Sequence, residues 1–219
     1  MYNVSVSPHL RTQDSTKTIM GDVALALLPI LAFGIYHFGL PALFVTVLCV
    51  VSSVLFELLF EVITKRPITI FDNSALVTGL ILAVNLPASV PWYIPVLGSG
   101  FAIVIVKMLF GGLGQNFMNP ALGARCFLLI SFAAKMGDFA MYKVYSASFS
   151  ELFKDGKIKD CLYLLAGKTD TALDAVAGAT PLAQLGDGKE LDLTSLFLGM
   201  HGGCIGEVSA LAILIGAAY

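Results

Sequence analysis

The chain has 219 residues, of which 57% are hydrophobic and 13% charged, and its net charge is −2; the mean hydropathy is +0.85. A soluble domain carries roughly 25% charged residues, so this composition excludes an ordinary water-soluble fold. The near-neutral, slightly acidic balance gives no support to a nucleic-acid partner. Cys49, Cys126, Cys161 and Cys204 are dispersed without a CxxC, so no metal site and no disulfide framework is expected.

A membrane-spanning helix needs about 20 apolar residues, with a range of roughly 17–25. In chain order, the apolar runs predict a first helix over 19–38, interrupted by Pro29, and a second over 41–63, closed by Lys65-Arg66-Pro67. A third, over 73–90, is short and carries Asn85 and Pro87. A fourth covers 93–110 and a fifth 120–135. The segment 136–190 is a long polar loop, and 191–219 is apolar again but split by Gly199, Gly202, Gly203 and Gly206. The fold class expected is an all-α integral membrane protein, a polytopic helical bundle with short and broken helices and one long extracytoplasmic loop. Its three parts are 1–135, 136–190 and 191–219. The sequence stops inside an apolar stretch, so a continuation past Tyr219 is expected.

Orientation follows from positive charge. Arg11 and Lys17 precede the first helix, and Lys65 and Arg66 follow the second. A hairpin through Gly39 puts all four on one side, the cytoplasm. Five crossings then place the N-terminus inside and 136–190 outside, with Trp92 and Tyr93 at the outer aromatic belt. Lys107 can snorkel toward an interface, and Arg125 either pairs with a flavin or an acid or, the favoured reading, snorkels. Asp22, Glu57 and Glu61 lie in apolar helices, where acids are functional candidates by default, although positions near the cytoplasmic ends would make their solvation easy. Short or broken helices usually surround a buried site.

Three motifs can carry chemistry. The run from Phe71 to Leu80 contains Asp72, which can cap the third helix, and Ser74 and Thr78, four residues apart on one face. Between helices four and five, Gly111, Gly112 and Gly114 precede Asn116 and Asn119. That turn offers backbone and amide donors at a helix N-terminus, where an anionic or polar ring ligand binds well; a tight turn with Asn119 as a helix cap is the plain alternative. In the polar loop, Asp174-Ala-Val-Ala-Gly178-Ala179-Thr180-Pro181-Leu182 leaves the Thr180 hydroxyl open beside small residues. Taken alone, Gly178-Ala179-Thr180 is a weak signal and reads as a turn.

As an ordered set, with Ser7-Pro8-His9, Thr18-Ile19-Met20 and Gly206-Glu207-Val208-Ser209, these motifs resemble the family of the Rnf complex D subunit and the B subunit of the sodium-pumping NADH:quinone reductase. The resemblance covers the whole chain. It implies a membrane subunit of a redox-driven pump for Na⁺ or H⁺, working with the other subunits of its complex between ferredoxin and NAD. It also implies FMN esterified through its phosphate to the threonine of a D-x-x-(S/T)-G-A-T motif, here Thr180, with Asp174, Gly178 and Ala179 matching and an FMN transferase needed for maturation. Ala177 departs from the usual Ser or Thr. A second, non-covalent flavin (riboflavin) is implied without assigned residues; Asn116 and Asn119 are the donors the turn offers to a cofactor. The early Ser-Pro-His favours the Rnf side over the quinone-reductase side. A reading from another class is a cofactor-free channel or transporter, which the Asp174–Thr180 motif argues against. No Rossmann fingerprint and no iron–sulfur cysteine cluster is present, so NAD binding is not expected of this chain.

Overall fold

The computed structural model describes residues 14–137, 140–142, 175–177, 193–199 and 202–219. Helix α1, Thr16–Phe38, starts at Ser15, whose Oγ accepts from Thr18 N at 3.3 Å. Gly39, at φ 73°, ends it and opens α2, Leu40–Thr64, with Pro41 in the first turn, where a missing N–H costs nothing. At 1.5 Å per residue, each of these helices is about 35 Å long, enough for a hydrocarbon core of roughly 30 Å. Both are long and apolar enough to cross a membrane.

The next helices are shorter. A 3₁₀ turn, Ile70–Asp72, leads into α3, Ser74–Val84. Helix α4, Tyr93–Gly100, runs on without a break into a π-helical stretch, Phe101–Met108. Asn119 caps α5, Pro120–Ser131, and a single turn, α6, Ala133–Met136, follows a kink at Phe132. Near the end lie α7, Leu193–Leu198, and α8, Ala210–Ala218.

One expectation needs correction. The third helix does not reach residue 90: it stops at Asn85, whose amide donates to Ile81 O at 2.8 Å, and the chain crosses 85–92 in irregular form. Pro87 cannot donate to a continuing helix. The fold class is helical as expected; within 136–190 two three-residue strands, β1, Ala140–Tyr142, and β2, Ala175–Ala177, pair antiparallel with Met141 opposite Val176. The remainder of 136–190 lies outside the described residues, as do Ser7, Pro8 and His9.

The irregular stretch is buried, with Leu86, Ala88 and Val90 almost fully covered. Non-helical backbone at membrane depth is tolerated only inside protein. Its partner is the break before α8: Ile205 N donates to Leu86 O at 3.0 Å and Gly206 N to Val84 O at 2.8 Å. Two interrupted helices thus satisfy each other's backbone.

Helix α2 shows the polarity of a bilayer solvent. Thr46, Ser52, Ser53, Glu57 and Glu61 are buried, whereas Val47, Val51, Leu55 and Leu59 are about half exposed. In water such a helix would be inside out. It packs on α3 at Gly79, where a Cβ would come within 2.8 Å of Val50 Cα and 3.0 Å of Cys49 O. Small residues let membrane helices approach this closely. Gly79→Val is therefore expected to push α2 from α3 and cost about 1–3 kcal/mol. Gly21→Ala, with nothing within 4 Å of its new carbon, should leave stability unchanged; melting curves in detergent compare the two. Equal melting points would refute close α2–α3 packing.

Candidate functional site: a buried charge cluster

The described residues contain one buried ion pair. Lys107 Nζ lies 2.6 Å from Glu57 Oε1, both side chains almost fully buried. The same ammonium donates to Ser74 Oγ at 2.6 Å, and Ser74 donates from its hydroxyl (2.5 Å) and its backbone N (2.8 Å) to Asp72 Oδ1. A continuous polar chain therefore links Asp72, Ser74, Lys107 and Glu57 across three helices. The backbone bond at Ser74 is the helix-capping role expected of Asp72.

Local structure explains how each group arrives. Glu57 and Glu61 are four apart on α2 and share one face. Lys107 sits in the π-helical stretch, where Leu109 N bonds back to Val104 O and Gly112 N to Lys107 O, five residues in each case. Each of these hydrogen bonds spans one residue more than in an α-helix, which alters the face to which Lys107 points. Glu61 Oε1 accepts from Thr69 N at 3.0 Å and Thr69 Oγ1 at 2.5 Å. Arg66 donates to Met108 O at 3.3 Å and covers the Phe60 ring, tying the ends of α2 and the π stretch together.

The expectation that Lys107 snorkels is thus overturned: its head is almost fully buried and bonded to the Glu57 carboxylate. Solvation at a helix end does not describe Glu57 or Glu61 either, since both are fully buried, whereas Asp22 on α1 is exposed. Arg125 likewise points inward, donating to Asn85 Oδ1 at 2.5 Å and to Cys204 Sγ at 3.7 Å. It joins α5 to both breaks. Cys49 and Cys204 are buried, in line with a packing role, but Cys126 is exposed.

Two cavities flank Lys107. The larger, about 270 Å³, lies between Glu57, Glu61, Arg66, Asp72 and the Gly111–Gly112 turn. The smaller, about 150 Å³, is bounded by Ser74, Thr78, Lys107, Asn116 and Asn119. Small-molecule sites span roughly 300–1,000 Å³, so both spaces suit water and ions better than a ring ligand as they stand. Gly111, Gly112 and Gly114 all have positive φ, which explains three glycines in one turn. Oriented to satisfy its hydrogen bonds, the Asn116 amide nitrogen donates to Lys107 O (3.2 Å) and Gly112 O (3.0 Å). Asn119 Oδ1 accepts from Ala121 N at 3.0 Å and Leu122 N at 3.4 Å. Both amides therefore hold the turn beneath Lys107. Asp174, Gly178, Ala179 and Thr180 lie outside the described residues; β2 ends at Ala177, next to Gly178.

Sequence reasoning missed the Glu57–Lys107 pair, although a signal existed. Each is a charge isolated in an apolar run, and intramembrane charges pair with one another. What sequence could not supply was the register, because the π stretch has no mark in composition.

A helical bundle that buries Glu57, Glu61 and Lys107 while exposing leucines is a membrane protein that holds charge inside. The chain belongs to the NQR2, RnfD, RnfE family, whose model matches residues 3–219. It is 48% identical, over 99% of its length, to the D subunit of the Na⁺-translocating ferredoxin:NAD⁺ oxidoreductase complex of Acetobacterium woodii. It is 35% identical, over 100% of its length, to the D subunit of the proton-translocating ferredoxin:NAD⁺ oxidoreductase complex of Clostridium ljungdahlii. A third relative, the D subunit of the ion-translocating oxidoreductase complex of Shewanella amazonensis, is 36% identical over 89% of the chain. The chain spans 61%, 62% and 56% of these three relatives.

Removing one partner of a buried ion pair leaves the other charge uncompensated and costs about 3–5 kcal/mol. Lys107→Met and Glu57→Gln should each lower the detergent melting temperature sharply, and the double variant should recover most of that loss. Additive losses would mean that the two groups do not interact.

Proposed function

We propose that this chain is a membrane-embedded, electron-carrying subunit of a redox-driven ion pump of the Rnf type. The observation that carries the reading is the 48% identity to the Acetobacterium woodii protein over 99% of the chain. The charge cluster at Lys107 supports it, since a pump needs buried ionisable groups whose occupancy can change. The working complex would move electrons between reduced ferredoxin and NAD through partner subunits while Na⁺ or H⁺ crosses the membrane. The relatives' names divide between the two ions, and Asn116 and Asn119 would serve the redox or ion site by holding the turn under Lys107.

The electron-carrying part rests on Thr180. Its hydroxyl is the only chemically reactive group in the run Gly178-Ala179-Thr180, and a hydroxyl is what a phosphoester requires. Asp174 supplies a carboxylate in the same motif. A flavin held there would exchange one or two electrons and so couple carriers of either kind. The role of this chain is to supply the ester oxygen, keep it open between small residues, and anchor the motif through β2. An FMN transferase would attach the group during maturation, and a second flavin, riboflavin, would be bound without a covalent link.

Thr180→Ala should abolish the covalent flavin while the protein still inserts, because the ester needs a hydroxyl and a Thr→Ala change in a polar loop costs little stability. Mass spectrometry of the tryptic peptide from the native host reads the result directly, and an unmodified Thr180 in the parent protein would remove the assignment. The reading also places the N-terminus in the cytoplasm of a prokaryote and 136–190 outside. Cys161, within that loop, should then react with a membrane-impermeant maleimide in intact cells. Labelling only after lysis would reverse the sidedness.

A further inference from the structure

We infer that the π-helical stretch Phe101–Met108 is a two-register switch, and that its relaxation to α-helical bonding carries the Lys107 ammonium away from Glu57. The inference rests on the ion-pump reading and supplies the pump with a charge that moves. A π-helix is rare and is met mostly as a single turn inside an α-helix, frequently at a functional site. Here it covers 8 residues and ends one residue past Lys107. The hydrogen bonds define what a slip would do. Leu109 N bonds to Val104 O, five residues back. In an α-helix Met108 N would take that carbonyl, so Met108 would move into the place of Leu109 and Lys107 toward the place of Met108. One such step is a turn of about 100° around the helix axis. Met108 lines the larger cavity together with Lys107, Glu61 and Asp72. The ammonium would therefore remain beside carboxylates while Val106 came to face Glu57.

The surroundings permit the slip and also latch it. The residue released from the helix passes into the turn that follows, where Gly111, Gly112 and Gly114 all have positive φ and no side chain to restrict a new path. Leu109 and Phe110 are 60% and 50% exposed, so little packing opposes their displacement. The ring that Phe110 does meet, Phe117, belongs to the same turn. Against this, two side chains from outside the helix bind the carbonyls at its end. The Asn116 amide donates to Lys107 O and Arg66 donates to Met108 O. They form the latch, and Glu57 and Ser74 hold the ammonium itself. A slip is also the cheapest way to part Lys107 from Glu57. The backbone exchanges one set of N–H···O bonds for another and leaves none unmade, whereas withdrawing the helix would strip both charges of partners inside the bundle.

Spin labels at Leu109→Cys and Ile130→Cys, both exposed positions, read the register in the assembled complex by their separation. Cys126→Ser and Cys161→Ser remove competing thiols, and Cys49 and Cys204 are buried. At rest the parent should give one distance. Turning a side chain by about 100° on a cylinder 10–12 Å across moves it by about 5 Å or more. Asn116→Ala opens the latch without any electron donor and should add a second distance displaced by that amount. The same second distance should appear in the parent complex during turnover with reduced ferredoxin and NAD. A single, unchanged distance in Asn116→Ala overturns the inference, and so does its persistence through turnover that moves ions. If Asn116→Ala fails to assemble, Arg66→Gln decides in the same way, because it weakens the hold on Met108 O. A second distance in a complex that turns over without moving ions would keep the register change and remove the pump reading instead.

Discussion

A lysine ammonium inside an apolar bundle is intolerable without a partner, and the packing around α2, α3 and the π stretch is arranged to give Lys107 two. Glu57 neutralises its charge and Ser74 accepts a second N–H. Desolvating both ions costs several kcal/mol each, so a buried pair is weak evidence for stability and is better read as specificity. Here it fixes which face of α2 meets which face of the π stretch. The π register and the Gly111–Gly112 turn both bear on the same lysine. The first sets the direction of Lys107, and the second lets the chain leave the helix immediately below it, with Asn116 bonded to the Lys107 carbonyl.

The two interrupted helices solve a different problem with equally few groups. Residues 85–92 and 202–209 leave the helical register inside the bundle, where water is absent and every N–H and C=O needs a partner. Ile205 and Gly206 supply two donors to the end of α3. Arg125 fills the remaining polar demand, reaching Asn85 and Cys204 at once. A planar guanidinium with five N–H groups suits a junction of three elements better than a lysine would. The irregular segments are therefore built into the core and stand on protein contacts, while leucines and valines of α2 take the lipid-facing positions.

Much of this was legible in the sequence. The starts of all five early helices follow from apolar runs and punctuation: Gly39 and Pro41 between α1 and α2, Lys65-Arg66-Pro67 after α2, Asn119-Pro120 before α5. The glycines after 199 marked the second break, whereas the expected third helix ran on through Asn85-Leu86-Pro87; the pairing of the two breaks was hidden, being a contact between residues more than a hundred positions apart. The inward turn of Lys107 and Arg125 was illegible for a related reason. Snorkelling and pairing are alternatives decided by the distance to a partner, and that distance depends on helix register. A π stretch changes register with no residue type to announce it. The β1–β2 pair was hidden because three-residue strands carry no usable periodicity.

Helix α3 connects the two polar loci. Its first residue, Ser74, is held by Lys107, and the residue that ends it, Asn85, is held by Arg125. Eleven residues at 1.5 Å each separate these grips by about 16 Å, roughly half a hydrocarbon core. Between them Gly79 sits against the α2 backbone with no space for a methyl group, so α3 cannot tilt without carrying α2 along. Since α2 bears Glu57 and Glu61, any shift at the Arg125 junction must be felt at the carboxylates, and a change of charge at the carboxylates must be felt at the junction. The coupling needs no flexible wire: a short rod with a cation at each end and a close-packed middle is sufficient, because packed interiors transmit strain instead of absorbing it.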